Sequence, residues 1–382
     1  MRAFAVLAML AACDYESIAS SDAADAAEID AAEIDAADAR APDAVDAALD
    51  ALDAGEPDAP IDAPLCPLGA RRCEANAVLE CQAAAWVTVA TCTNLCASGA
   101  CVTPPSCGVN TSTCGVGANE TCCASRPVVG GTFSRSYDGV SPGFTDDRYH
   151  ATITGLHLDA FEVTAARFQR LVDAYPLSRP ADGSGRNPND ALDLGWRSAW
   201  TPLLPATRTD LSAALLCDGL VAQTPSDPVR CVSWYVAQAF CIWDGGRLPT
   251  EAEWNYAAAG GAEQRVYPWS SPPSSTTISG NHATHQVSAP QRPGAHALGG
   301  GRWGHADLAG NVWEWVLDNH ANPYPSMACA DCANHTAAAA RVTRGGAYLS
   351  SSSTVLASFR SSLAATSTRQ TTGFRCARNP SP

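Results

Sequence analysis

The chain has 382 residues, with 24 basic and 39 acidic side chains and a formal net charge of −15. This length is sufficient for one large folded core together with smaller modules. Residues 14–64 contain sixteen acids and a single arginine, so this segment carries the whole excess of negative charge and the remainder is neutral. Such a balance offers no basic surface to nucleic acid, and we expect no nucleic-acid partner.

The first thirteen residues have the pattern of an export signal. An apolar run at residues 3–12 follows Arg2 and is too short to span a bilayer. The sequence Leu-Ala-Ala-Cys at residues 10–13 resembles the bacterial lipobox, so we expect residues 1–12 to be a signal peptide and Cys13 to carry lipid. An ordinary secretory signal with an incidental cysteine is the alternative. A lipid anchor would make the membrane a partner and place the protein in the envelope of a Gram-negative bacterium, in the periplasm or at the cell surface.

Residues 13–65 are interpreted as the lipidated cysteine and a tether. They are mainly Ala, Asp and Glu, with interspersed prolines. High charge and few large apolar side chains predict a disordered spacer. An acidic segment that binds a partner is the alternative.

Residues 66–123 contain ten of the seventeen cysteines. This density predicts disulfides formed in an oxidising compartment. The first six cysteines fit one small module, and the last four lead into the main domain. A zinc site is the alternative, because Cys92 and Cys96 have a suitable spacing, although the segment contains no histidine.

Residues 124–382 carry the signals of a larger domain with short strands and long loops. Residues 128–133 predict a strand with a glycine bend, and residues 150–161 alternate as a half-buried strand. Residues 176–230 are rich in Pro, Gly, Asn and Asp, which predicts long surface loops.

Three helices are predicted in the same domain. Thr164 can cap the first, Ser233 precedes a second over residues 234–243, and Thr250 with Glu253 has capping-box spacing for a third through Ala259. Few helices among short strands predict the α+β class.

Residues 304–318 place two tryptophans around one glutamate, just after a Gly-Asn turn. In an extended strand, Trp313 and Trp315 would face one side and Glu314 the other. One interpretation is a buried strand in which Glu314 forms a salt bridge. The other is a site for a hard cation, since Asp307 and Glu314 supply carboxylates and the turn exposes carbonyl oxygens.

Four blocks in this order resemble the formylglycine-generating enzyme, or sulfatase-modifying factor, family. The blocks are Glu162-Val163-Thr164, the segment 247–254 (Arg-Leu-Pro-Thr-Glu-Ala-Glu-Trp), the segment 310–315 (Gly-Asn-Val-Trp-Glu-Trp), and Arg344-Gly345-Gly346 followed by Gly373-Phe374-Arg375. The resemblance covers about residues 127–378. It implies the fold of that family, which is C-type-lectin-like.

Six further cysteines lie in the main domain, and three pairs are expected among them: Cys241–Cys376, Cys217–Cys231 and Cys329–Cys332. The first pair is implied by the resemblance, because the family has a structural disulfide at matching positions. The second pair flanks one loop. The third could be a redox or metal site. It lacks a helical context, so a local disulfide is the favoured interpretation.

Enzymes of the resembled family oxidise a substrate cysteine to formylglycine with a copper(I) ion held by two thiolates. The resemblance puts those thiolates just beyond Arg344-Gly345-Gly346, at positions that hold Ser350 and Val355 in this chain. A hydroxyl is a poor ligand for copper(I), and valine is none. We therefore expect no catalytic copper here.

The resemblance also implies calcium sites. Asp307 and Glu314 would supply carboxylates to one site, and Gly310 and Val312 would supply backbone carbonyls. A second site would begin at Asn281, but no Asp or Glu occurs between Asn281 and Asp307, so we expect one calcium. Four histidines nearby are expected to be surface residues: His282, His285, His296 and His305.

The sequence thus predicts an exported lipoprotein that displays a formylglycine-generating-enzyme-like domain as a binding or structural module. One alternative is a formylglycine-generating oxidase that uses an unconventional pair of thiols. Another is a lectin-like binder of carbohydrate or peptide. The sequence identifies no particular protein, peptide or glycan ligand.

Overall fold

A computed structural model of the chain describes residues 66–74, 77–92, 95–108, 113–220 and 222–379. The predicted signal peptide, the lipidated Cys13 and the acidic tether lie outside the described residues. Within the described ranges, no helix has the length and apolar character needed to cross a membrane.

The first part of the described chain is a small module cross-linked by three disulfides. Its strands are β1 (Arg71–Glu74), β2 (Ala77–Gln82), β3 (Ala85–Thr91), β4 (Leu95–Ala97) and β5 (Ala100–Val102). Strands β1, β2 and β3 form one antiparallel sheet, and β4 pairs with β5. The disulfides are Cys66–Cys81, Cys73–Cys96 and Cys92–Cys101. Because its apolar core is small, this module depends on cross-links for stability.

The next four cysteines pair with one another and lie against the main domain. The bonds are Cys107–Cys123 and Cys114–Cys122. The Ser106 N–H donates to Asp244 Oδ1 at 2.9 Å, and the Gly115 N–H donates to Pro293 O at 3.1 Å. These contacts hold the segment around residues 106–123 to the main domain rather than to the small module.

The main domain is built from many short strands. They are β6 (Thr113–Cys114), β7 (Glu120–Thr121), β8 (Ser125–Val128), β9 (Gly131–Ser134), β10 (His150–Ile153), β11 (Leu156–Asp159), β12 (Trp313–Asn319), β13 (Ala328–Ala330), β14 (Ala340–Arg344), β15 (Arg360–Ala364), β16 (Thr372–Gly373) and β17 (Ala377–Arg378). The described sheets have the orders β6-β7, β13-β10-β9, β17-β11-β8 and β15-β14-β12-β16. Residues 150–161 thus form two strands instead of the single strand expected, and the second is buried along its whole length.

In the described part of the chain, four α-helices accompany the strands: α1 (Ala165–Ala174), α2 (Arg208–Ala214), α3 (Trp234–Trp243) and α4 (Glu251–Ala258). Thr164 caps α1, and Ser233 caps α3 through its side-chain oxygen. Thr250 and Glu253 form a reciprocal capping box at the start of α4. These local signals fix three of the helices.

Residues 176–230 differ from the predicted surface loops. They contain α2 and a 3-10 helix (Ser198–Leu203), and their buried side chains include Trp196, Leu204 and Leu211. The expectation of an exposed region was wrong, because the polar and Gly/Pro-rich residues are interrupted by apolar ones that complete the core. A capping box of Thr207 and Asp210 starts α2.

The largest core cluster lies around α1, α3 and the C-terminal residues. The rings of Phe168 and Phe240 stack with centroids 5.5 Å apart, and Phe374 packs edge-on against Phe240 at 5.3 Å. The Cys241–Cys376 disulfide joins α3 to the C-terminal segment across 135 residues of sequence. The main domain also contains the disulfides Cys217–Cys231 and Cys329–Cys332.

Candidate functional site

Strand β12 brings the sequence blocks together. Glu314 is opposite Arg344 of the antiparallel neighbour β14 and opposite Gly373 of the parallel neighbour β16. The Arg-Gly-Gly and Gly-Phe-Arg blocks therefore flank the Trp-Glu-Trp strand in one sheet. These blocks are far apart in the sequence, and the pairing of the strands brings them together in space.

The Glu314 carboxylate is fully buried and closely held. Its Oε1 accepts from Arg375 Nη2 at 2.7 Å, and its Oε2 accepts from Arg375 Nε at 2.7 Å and Trp254 Nε1 at 2.8 Å. Neither side chain of this ion pair has any exposed surface. This geometry matches the first of the two interpretations made from the sequence, a buried strand in which Glu314 forms a salt bridge.

A second carboxylate, Glu162, lies beside this strand and was not among the residues selected from the sequence. Its Oε2 accepts from Asn311 Nδ2 at 2.6 Å, and its Oε1 accepts from the Val312 N–H at 3.2 Å. Burial, together with the charges of Asp307 and Glu314, raises the pKa of Glu162 well above its usual range. The only signal for this role in the sequence was its place at the start of the Glu-Val-Thr block.

Asp307 completes a group of three buried carboxyl groups. Its backbone is left-handed, with φ of 56°, and its Oδ2 accepts from the Gly294 N–H at 2.5 Å. Burial raises the pKa of Asp307, and the nearby Arg375 opposes this rise. With Glu162 and Glu314, the group has three acidic side chains near one guanidinium, so it would gain from an additional positive charge.

The loop from Asp307 to Glu314 contains the oxygen atoms that the sequence predicts as calcium ligands. Glu314 Oε2 already accepts two hydrogen bonds, whereas Oε1 accepts one and keeps a lone pair. Among the described residues, no three His, Cys, Asp or Glu side chains have the arrangement of a metal site. A calcium ion here would therefore depend on the carbonyl oxygens of Gly310 and Val312 as well as on Asp307 and Glu314.

Asn281, at which a second calcium site would begin, forms no hydrogen bond with these carboxylates in the described structure. It is exposed, and its N–H donates to Ser279 Oγ at 3.3 Å. Three residues later, the Thr284 carbonyl accepts from the Asn311 N–H at 2.8 Å. The loop that contains Asn281 therefore supports the Gly-Asn turn through its backbone.

The expectation that all four histidines are surface residues was wrong for His305. This side chain has no exposed area, and its Nε2 lies 3.3 Å from Leu158 O. Burial and the charge of Arg375 lower the pKa of His305 to about 3, so it is neutral. His282, His285 and His296 are half-buried, and His296 Nε2 contacts Thr284 Oγ1 at 2.7 Å.

The two positions that correspond to the family's thiolates have structural contacts. Ser350 Oγ accepts from the Ala347 N–H at 2.9 Å, and so closes a turn. Val355 is fully buried in an apolar cluster with Val266, Tyr267 and Leu356. Neither side chain offers a ligand to a soft metal.

The glycines that precede these positions allow the chain to pass closely. Gly345 and Gly346 have φ of 90° and 75°. A Cβ on Gly346 would lie 2.5 Å from Val355 Cγ1, and one on Gly345 would lie 3.2 Å from the Trp254 ring. The Arg-Gly-Gly turn is thus fixed by packing against the residue in the second thiolate position.

All sixteen cysteines in the described part of the chain are disulfide-bonded. Cys329 belongs to β13, which pairs in parallel with β10, and its partner is Cys332. Eight disulfides indicate an oxidising, extracytoplasmic compartment.

The described residues thus define a disulfide-cross-linked α+β domain whose centre is a cluster of buried carboxylates closed by Arg375. Residues 118–380 match the sulfatase-modifying factor enzyme 1-like domain, and the chain belongs to this family. The resemblance seen in the four sequence blocks is confirmed.

Several characterised proteins are similar to this chain. The formylglycine-generating enzyme of Streptomyces coelicolor is 31% identical over 283 residues, which cover 65% of this chain and 85% of that protein. The mouse formylglycine-generating enzyme is 27% identical over 292 residues, which cover 67% and 75%. The bovine protein named inactive C-alpha-formylglycine-generating enzyme 2 is 38% identical over 109 residues, which cover 24% and 33%. Among solved structures, PvdO from Pseudomonas aeruginosa aligns with a TM-score of 0.48 and 19% identity, over 67% of this chain and 94% of that one.

Proposed function

We propose that this chain is an exported lipoprotein that displays its formylglycine-generating-enzyme-like, lectin-like domain as a binding or structural module, without copper-dependent cysteine oxidation. Its ligand would be a protein, peptide or glycan outside the cytoplasm. The observation that carries the proposal is the pair of side chains, Ser350 and Val355, at the positions of the family's thiolates.

The local structure supports this assignment. Copper(I) prefers thiolates, and a serine hydroxyl and a valine side chain do not replace them. The Ser350 hydroxyl is engaged by the Ala347 N–H, and Val355 is enclosed by apolar neighbours. One relative, matched over 24% of this chain, carries the name of an inactive enzyme, which supports the proposal.

The alternative is an oxidase that uses a different pair of thiols. Such an enzyme needs two free cysteines close together. In the described part of the chain, every cysteine is in a disulfide, so the Cys329–Cys332 bond would first have to be reduced. The oxidase proposal therefore requires a redox change that the binding module does not.

The proposed location rests on two observations. The disulfides indicate export, and Cys13 follows a lipobox-like sequence. More than one acyl chain is needed for stable anchoring, which a lipidated N-terminal cysteine would provide. Labelled palmitate should enter the full-length protein in a Gram-negative host, and Cys13→Ser should abolish the label and release the protein from membranes.

We further propose that one calcium ion binds at Asp307, Gly310, Val312 and Glu314. Oxygen ligands from two carboxylates and two carbonyls suit this cation. Its charge would offset the repulsion among Glu162, Asp307 and Glu314. A calcium ion here would fix the loop that precedes β12 and would take no part in chemistry.

The experiment that tests the non-oxidase function is a free-thiol count on a protein of residues 66–382, followed by a copper(I) titration. We expect no free thiol and no tight copper(I) binding. The substitutions Ser350→Cys and Val355→Cys together restore the two thiols, and serve as a positive control for the copper measurement. Tight copper(I) binding by the unaltered protein would contradict the proposal.

A further inference from the structure

A small pocket lies beside β14, and its principal lining residues are Arg197, Trp200, Tyr235, Asn319, His335 and Arg341. Its volume is about 190 Å³. This is below the range of roughly 300–1,000 Å³ that drug-sized ligand sites occupy, so the pocket suits a small molecule or one terminal group. It shares no residue with the calcium loop or with the two former thiolate positions.

Arg341 of β14 is the buried cation of this pocket. Only 9% of the residue is exposed, and its guanidinium lies 3.7 Å from the ring centroid of Trp234 and 5.7 Å from that of Trp200. Its Nη1 donates to Leu317 O at 2.7 Å. The structure gives this guanidinium no other hydrogen bond and no carboxylate partner among the described residues.

Other buried arginines of the domain are satisfied differently. Arg167, Arg247 and Arg375 each form ion pairs with buried carboxylates. Arg135, which also has no carboxylate partner in the described chain, donates to two carbonyls, those of Tyr149 and Ser326. Arg341 has one such contact, so its Nε and Nη2 groups remain available to a ligand.

Arg341 stays charged at neutral pH. Burial lowers its pKa to about 10, and Arg197 contributes to the decrease, whereas Tyr235, Asp318 and Asp193 oppose it. A buried cation without a counterion is costly, and an anion that entered the pocket would relieve this cost. An arginine fork also matches a carboxylate in shape, through two parallel hydrogen bonds.

The other charged groups around the pocket favour an anion as well. Arg197 is exposed at the rim, with its guanidinium 5.5 Å from the Trp200 ring. The carboxylate of Asp193 is turned into its own loop, where it accepts from the N–H groups of Asn187 and Gly195. His335 contacts Asp190 through Nε2 at 2.8 Å. Asp318, which also acts on Arg341, accepts from the N–H groups of Glu251 and Asn334. Within the described residues, neither Arg341 nor Arg197 therefore has a carboxylate in direct contact.

Two half-buried aromatic residues provide walls with polar tips. Neither the Tyr235 hydroxyl nor Trp200 Nε1 has a hydrogen-bond partner within the described ranges. Such side chains combine an apolar surface with a donor and are common where proteins bind ligands. An organic group attached to the carboxylate would contact these rings.

We propose that this pocket binds an organic carboxylate, with Arg341 as the buried charge partner and Arg197 as a second cation at the rim. The proposal names a ligand class and a site for the binding role proposed above, and rests on that role. The carboxylate could belong to an acidic sugar or to an acidic amino acid, and the experiment separates these two sources.

The experiment is calorimetric titration of the full-length protein with four probes. Glucuronate and N-acetyl-aspartate carry the carboxylate. Glucose and N-acetyl-asparagine amide, in which both carboxyl groups of N-acetyl-aspartate are replaced by amides, are their neutral counterparts. We expect saturable binding of at least one carboxylate and none of the neutral probes. Stronger binding of glucuronate would assign the site to acidic sugars, and stronger binding of N-acetyl-aspartate would assign it to peptides.

Two substitutions locate the binding. Arg197→Glu should weaken binding by about tenfold or more, since it reverses a charge at the rim. Arg170→Glu makes the same change at an exposed position on α1 and should leave the affinity within about twofold, because Arg170 does not line the pocket. Arg341→Gln should abolish binding. If that variant does not fold, the comparison of the Arg197 and Arg170 variants decides whether the carboxylate binds in this pocket.

The proposal is overturned if neither carboxylate binds, if the neutral probes bind equally, or if the Arg170 and Arg197 variants lose affinity alike. These results do not depend on copper or on thiols. Failure of the carboxylate site therefore leaves the non-oxidase function intact, and oxidase activity would refute that function without testing this pocket.

Discussion

Arg375 and Glu314 form a two-point ion pair at the centre of the domain, with both hydrogen bonds 2.7 Å long and both side chains fully buried. Arg375 Nη2 also donates to Ala306 O at 2.8 Å. The pair thus connects the C-terminal segment, strand β12 and the loop before it. A buried pair of this kind is costly to break, because the remaining charge loses its partner.

Glu314→Gln should therefore destabilise the domain by about 3–5 kcal/mol. Chemical unfolding, followed by tryptophan fluorescence in the presence of a calcium chelator, measures this loss without a contribution from bound metal. Asp146→Asn alters an exposed pair with Arg148 and should leave the unfolding midpoint unchanged. Equal effects of the two substitutions would contradict the central role of the Glu314 pair.

The stability of the domain should depend on pH through Asp318. Burial, and then the charge of Glu251, raises the pKa of Asp318 from 3.8 to about 6. Between these values the unfolded chain has lost the proton and the folded chain still holds it, so stability falls as pH rises through this window. The unaltered protein should lose about 2–3 kcal/mol of unfolding free energy relative to the Asp318→Asn variant between pH 4 and pH 7, because the amide does not titrate. A difference that stays constant with pH would show that Asp318 does not carry this proton.

Calcium should raise the melting temperature. A ligand that binds only the folded state adds about 2.7 kcal/mol of stability at a hundred times its dissociation constant. Asp307→Ala should remove the increase, whereas Asn281→Ala should keep it, because Asn281 is exposed and lacks a carboxylate partner nearby. Melting curves in calcium and in chelator test this. An unchanged melting temperature, or an equal loss in both variants, would argue against the site.

The Cys241–Cys376 disulfide should contribute more stability than the shorter cross-links. It closes a loop of 135 residues, whereas Cys217–Cys231 closes one of 14. Loop entropy gives about 5 kcal/mol for the long loop and about 3 kcal/mol for the short one. Paired Cys→Ser substitutions, compared by chemical unfolding, should follow this order. The reverse order would indicate that strain or residual structure dominates.

Local features of the fold were predictable from sequence. Thr164, Ser233 and Thr250 sit where a side-chain oxygen can cap a helix, and each does so. The pattern around Trp313 and Glu314 predicts a strand with a buried glutamate, which the structure contains. Such signals lie within a few residues of each other, so they need no knowledge of distant contacts.

Features that depend on distant residues were not predictable. Glu162 meets Asn311 across 149 residues of sequence, and Trp234 meets Arg341 only once α3 packs on the sheet that contains β12 and β14. His305 was expected at the surface with the other histidines of its loop region, yet it is buried in its neutral form. Helix α2 was missed because its capping residues, Thr207 and Asp210, lie in a region of loop-like composition.

The most direct test of the central claim is an oxidation assay. The purified chain, supplied with copper(I), oxygen and a mild thiol reductant, is incubated with a cysteine-containing peptide, and the formylglycine product is measured by mass spectrometry. The Streptomyces coelicolor enzyme serves as the positive control. The account predicts no conversion above a protein-free control. Catalytic conversion that is lost on substitution of Cys329 or Cys332 would contradict it and identify the chain as an oxidase with an unconventional pair of thiols.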